Sequence, residues 1–107
     1  MYKILTKLAI SPALKGYQDI VDCVEELKKD VRAKITAVYE IVARKRGSNW
    51  HRIERNVRHA IQISLSYGDL TLLGEIFGSV ITSNARLTNS QFLKCLTIYV
   101  TEVQKNG

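Results

Sequence analysis

The sequence predicts an all-α fold of about six helices, with a helix-turn-helix formed by helices three and four. Three observations lead there. Apolar residues recur at i, i+3, i+4 and i+7 along most of the chain, which is the spacing of helices with one buried side. A helix stop at Arg44-Lys45-Arg46-Gly47 is followed at once by two residues able to cap a new helix, Ser48 and Asn49. A T-x-x-Q box at Thr88 and Gln91 opens a last helix. The 107 residues, 46% apolar and 24% charged, suit a single domain over 1–107 with one core.

Taken in order, the first helix covers Tyr2 to Ala9, with Ile4, Leu5 and Leu8 on one side and Lys3 and Lys7 on the other. Ser11-Pro12 ends it and starts the second, because proline disfavours helix in the residue before it and suits a first helical turn. Tyr17, Ile20, Val21, Val24, Leu27 and Val31 form the second apolar stripe, leaving Asp19, Asp22, Glu25 and Glu26 as a solvated acidic face. No glycine or proline lies between Lys28 and Lys34, so the break near Asp30 rests on length alone. Ile35, Val38, Tyr39 and Val42 mark the third helix. Its basic last turn complements the negative helix terminus, and Gly47 supplies a left-handed cap.

The fourth helix, at about 49–66, turns Trp50, Ile53, Val57, Ala60, Ile61 and Ser64 inward. Tyr67, Gly68 and Asp69 end it and cap a short fifth carrying Leu70, Leu73, Ile76 and Phe77, which stops at Gly78. A polar connector or wing with Ser79, Ser83, Asn84 and Arg86 leads to the sixth. There Phe92, Leu96, Tyr99, Val100 and Val103 face inward, and the end frays at Lys105-Asn106-Gly107. Tyr17, Tyr39 and Tyr99 are core residues by the same periodicity.

Several function classes drop out. Cys23 and Cys95 lie far apart with no C-x-x-C spacing, so they read as buried reduced thiols and not as a disulfide framework or zinc site. His51 and His59, eight residues apart on one helix, are separated by about 12 Å of rise, too far for one metal ion. There is no G-x-S-x-G, no phosphate-cradling glycine loop and no H-x-E with paired cysteines, hence no expected enzyme activity, cofactor or metal. No apolar run approaches the ~20 residues that span a bilayer, and the apolar part of the N-terminus is too short for a secretory signal, so a cytoplasmic protein without a membrane partner is expected.

What remains is charge. From Arg44 to Arg58, six basic residues (Arg44, Lys45, Arg46, Arg52, Arg55, Arg58) stand against Glu54, so five of the chain's six net positive charges fall in fifteen residues. Such a concentration points to nucleic acid. Helical phase places Arg52, Arg55, Asn56, His59 and Gln62 opposite the apolar stripe. Arginine, asparagine and glutamine are the types that pair bidentately with guanine or adenine edges. Ser48 and the Arg44-Lys45-Arg46 turn lie where phosphates would pass, and His51 is a phosphate contact or a surface residue. Glu54 either pairs with Arg58 at i, i+4 or accepts from a cytosine amino group. Trp50, on the inward stripe, is a core anchor before it is a base-stacking platform.

The run R-I-E-R-N-V-R-H-A-I, Arg52 to Ile61, resembles the recognition helix of the C-terminal DNA-binding domain of the stage zero sporulation protein A family of response regulators. L-K-G-Y at Leu14 to Tyr17, I-F-G at Ile76 to Gly78 and T-N-S-Q-F at Thr88 to Phe92 extend the resemblance over nearly all of the chain. It implies a transcription regulator that binds a short double-stranded DNA box, often as tandem head-to-tail copies; tandem sites would favour a DNA-induced homodimer. By position it implies Arg52, Glu54 and Arg55 as the base-reading set, Arg58 and His59 near the DNA backbone, and a basic residue before the last helix, where Arg86 stands. Departures from the family are Trp50 and Asn56 in place of small residues, Leu87 in place of a proline, and a shorter segment between helices two and three. Asn56 falls on the readable face, so it joins the expected readers and implies an altered box. The family's receiver domain has no counterpart in these residues, which fits an excised effector domain or a free-standing paralogue. The alternative is a protein-interaction module of the same fold that acts through its second or last helix on RNA polymerase or a full-length relative.

Overall fold

The computed structural model describes residues 1–81 and 86–106, and it is all-helical over them: α1 (Tyr2–Lys7), α2 (Lys15–Leu27), α3 (Ile35–Arg46), α4 (Trp50–Tyr67), α5 (Leu70–Phe77) and α6 (Asn89–Asn106). α2 packs on α3, α4 and α6, α4 also touches α3 and α6, and α5 lies against α6. The core these helices enclose contains Leu5, Ile20, Val24, Val42, Ile61, Phe77, Phe92 and Leu96, all fully buried, with the Phe77 and Phe92 rings stacked at a centroid distance of 5.0 Å.

Helix boundaries depart from the sequence reading where backbone hydrogen bonds outweigh periodicity. α1 ends at Lys7 because Ile10 N donates to the Leu5 carbonyl (2.8 Å) and Ala9 N to that of Thr6 (3.0 Å). These are the two bonds of a Schellman stop, and they place Ala9 at φ 65°, in the left-handed region. Pro12 does not sit in the first turn of α2, which begins only at Lys15. α2 stops at Leu27, so Val31 belongs to the connection, where Asp30 Oδ1 accepts from Arg32 N at 3.0 Å in a side-chain turn. That aspartate was the local signal for the break.

Elsewhere the caps follow expectation. Thr88 and Gln91 exchange two 3.0 Å bonds, Thr88 N to Gln91 Oε1 and Gln91 N to Thr88 Oγ1. Asp69 Oδ1 accepts from Leu72 N at 3.0 Å to open α5, while Asp69 N donates to the Lys7 carbonyl and ties α5 to the end of α1. Several expected core residues lie at the margin: Leu70 and Val103 are exposed, Tyr17, Val21 and Ile35 are half-buried, and Tyr99 is half-buried with its hydroxyl on Glu75. Leu93 and Thr97, off the expected stripe of α6, are buried, because that helix is covered on one side by α2 and on the other by α5. Ser83 and Asn84 of the expected connector or wing lie outside the described residues, as does Gly107.

α2 and α4 approach closely at Gly16. A Cβ there would stand 2.5 Å from the Asn56 carbonyl oxygen and 3.2 Å from the Ala60 Cβ, distances that only backbone displacement can relieve. The glycine of L-K-G-Y is thus a packing requirement of the α2–α4 crossing. Substituting Gly16→Ala is expected to lower unfolding stability by about 1–3 kcal/mol through overpacking, read as a fall in the urea midpoint. Ala9→Gly is expected to act in the opposite sense by about 0.5–1 kcal/mol, since it relieves a left-handed alanine but loosens the unfolded chain; a thermal melt measures it.

Candidate nucleic-acid interface

The junction of α3 and α4 is built from local bonds. Gly47, at φ 63°, follows the last turn of α3, with Ser48 N donating to the Ala43 carbonyl (2.9 Å) and Gly47 N to that of Arg44 (3.4 Å). Of the two cap candidates, Asn49 is the one used: its Oδ1 accepts from Arg52 N at 3.1 Å. Ser48 is left half-buried in the turn. Helix, three-residue turn over 47–49, helix is therefore the geometry observed.

α4 buries Ile53, Val57, Ala60, Ile61 and Ser64 and turns His51, Arg52, Glu54, Arg55, Arg58, His59 and Gln62 to solvent. Trp50 sits at the edge of the core, half-buried, and the His51 ring stacks on it with centroids 3.8 Å apart. On one flank, His51, Glu54, Arg55 and Arg58 line an open groove of about 700 Å³ that runs to the N-terminus of α6 at Thr88 to Ser90. Arg58 does not pair with Glu54 there; its Nη1 donates to the Leu87 carbonyl at 3.3 Å. Arg86 is exposed one residue before that carbonyl. Beneath the groove, Asn89 Nδ2 donates both to the Tyr39 hydroxyl (2.9 Å) and to the Glu54 carbonyl (3.1 Å), fastening α6 to α3 and α4. Burial pushes the Tyr39 phenol up to about 12 against the pull of the Asn89 hydrogen bond, so it stays neutral.

The other flank overturns the expectation of a solvated acidic face on α2. Asp19 is 2% exposed. Arg46 Nη1 donates to Asp19 Oδ1, Arg46 Nη2 and Nε both reach Asp22 Oδ2, the latter at 2.9 Å, and Lys45 Nζ donates to Glu26 Oε1 at 2.6 Å. The Lys45 hydrogen bond holds the Glu26 carboxyl below its ordinary range and raises the Lys45 ammonium. Burial first, then the carboxylates of Asp19 and Asp22, push the neighbouring Cys23 thiol up to about 12, and it is buried as expected, whereas Cys95, expected to be buried too, is only half-buried. Asn56 also departs from its expected place on the open face. It is half-buried, with Nδ2 donating to Asp19 Oδ2 at 2.9 Å.

The basic cluster is therefore two populations. Lys45 and Arg46 are paired with α2, whereas Arg44, Arg52, Arg55 and Arg58 make no ion pair among the described residues. Sequence reasoning missed Asp19 and Asn89. The buried positions of α2 are 16, 19, 20, 23, 24 and 27, so the true stripe is centred about one position away from the one drawn through Tyr17 and Val21. Taking Gly16 as an inward position would have placed Asp19 beside it at i+3.

Among the described residues no three His, Cys, Asp or Glu side chains are grouped to hold a metal, and no helix is long and apolar enough to cross a membrane. The model of the family described as sporulation initiation factor Spo0A C terminal matches residues 1–100, and the chain belongs to that family of DNA-binding transcription-factor effector domains.

Proposed function

We propose that the chain is a sequence-specific transcription regulator that reads a short box of double-stranded DNA, with α3, the 47–49 turn and α4 as a helix-turn-helix and α4 in the major groove. The observation that carries this reading is the state of Arg52, Glu54 and Arg55. All three are exposed on one side of α4, and none of their side chains makes a hydrogen bond or ion pair among the described residues. Arginine donates to the O6 and N7 of guanine and glutamate accepts from the cytosine amino group, so an Arg-x-Glu-Arg ridge suits a G·C-containing box. Desolvating these groups costs little only if base edges replace the water they lose.

Around the ridge, Arg44, Ser48, His51, Arg58, His59 and Arg86 form a margin suited to phosphate contact, which fixes register and not sequence. Lys45 and Arg46 contribute less than their charge implies, since each is offset by an α2 carboxylate, although the Lys45 side chain remains 62% exposed.

Titration of labelled duplex at several salt concentrations tests the reading. Arg55→Ala is expected to lose about 1–3 kcal/mol and to relax sequence preference, whereas Arg44→Ala weakens binding to all sequences alike and lowers the salt slope by about one. Absence of duplex binding at low salt, or an unchanged preference in both Arg52→Ala and Arg55→Ala, would overturn it.

A further inference from the structure

We infer that Asp19 is a positioning residue for DNA recognition: its buried carboxylate holds the Asn56 amide and the Arg46 guanidinium against α2, withholding Asn56 from the base edges. This rests on the proposed role of α4 as the reading helix. Asn56 follows Arg55 directly, and asparagine is the residue type that reads adenine, donating through its amide nitrogen to N7 while accepting from N6. That bidentate contact requires a free Nδ2. Here Nδ2 is committed to Asp19 Oδ2 at 2.9 Å.

Releasing it has a physical cost. Asp19 is almost fully buried, and its two oxygens are divided between Arg46 on Oδ1 and Asn56 on Oδ2. Swinging Asn56 outward would strip one oxygen of a buried carboxylate of its donor, and an uncompensated buried acceptor next to a charge is among the most unfavourable arrangements in a fold. An open cleft of about 300 Å³ beside the network, lined by Lys15, Arg46, Ser48 and Arg52, connects Asn56 to the side on which Arg52 stands. Removing the carboxylate thus leaves Asn56 both unheld and within reach of the reading face.

Selection of bound sequences from a randomised duplex library, run with folded proteins checked by thermal melts, tests the inference. The wild type and Asn56→Ala are expected to enrich the same box. Asp19→Ala is expected to change discrimination at one base pair by about fivefold or more, the least that one good side-chain-to-base pair contributes. Asp19→Ala combined with Asn56→Ala should return that base pair to the wild-type preference. A box altered by Asn56→Ala alone, or a box unchanged by Asp19→Ala, overturns the inference. If Asp19→Ala does not fold, Asp19→Leu, which removes the acceptor while filling its volume, takes its place with the same expected change and the same overturning result. A wild type that enriches no box would overturn the proposed function as well, so the two failures are distinguishable.

Discussion

The buried carboxylate of Asp19 accepts from side chains on two other helices, Arg46 at the end of α3 and Asn56 in the middle of α4. A carboxylate at 2% exposure persists only when its charge and lone pairs are answered, so the sequence must place an arginine and an amide where α2 meets α3 and α4. Apolar packing alone leaves helices free to slide by fractions of a turn, whereas a fixed set of hydrogen bonds admits one register. The carboxylate, with the glycine contact one turn earlier in α2, therefore sets the rotation of α4 about its axis. That rotation decides which side chains face outward.

The same node divides the chain's positive charge by purpose. Two cations at the end of α3 neutralise α2 and hold the domain together, and four arginines, on α3 and α4, make no ion pair among the described residues. Under the proposed function a polyanion would meet a face whose unpaired charges are arginine forks, which suit both phosphate and guanine geometry. α6 completes the support from the opposite flank, where Asn89 fastens it to Tyr39 and to the backbone of Glu54, and Arg58 leans on the Leu87 carbonyl. α4 is thus held on both sides while its outward ridge remains open.

Much of this was legible in the sequence. Helix number, the 47–49 turn, the Thr88–Gln91 box and the inward side of α4 follow from periodicity and capping chemistry, which are local properties. The exposed places of Arg52 and Arg55 follow from the same helical phase, while the role of Glu54 comes only from the family resemblance. The fates of Arg46, Asn56 and Asp19 were not legible. They depend on which residues of a distant helix come opposite, and a carboxylate, an arginine and an amide each read by themselves as solvent-facing. Ala9 was hidden for a related reason: its left-handed conformation is imposed by a helix stop that in other chains is marked by glycine.

The most direct measurement is a double-mutant cycle on Asp19 and Arg46, with Asp19→Ala, Arg46→Ala and the double variant unfolded in urea. If the buried carboxylate is the joint between α2 and the α3–α4 pair, the two substitutions share one interaction, and the cycle returns a coupling of about 1–3 kcal/mol. Losses that simply add, within about 0.5 kcal/mol, would contradict the account, because Asp19 and Arg46 would then stabilise the fold independently of one another.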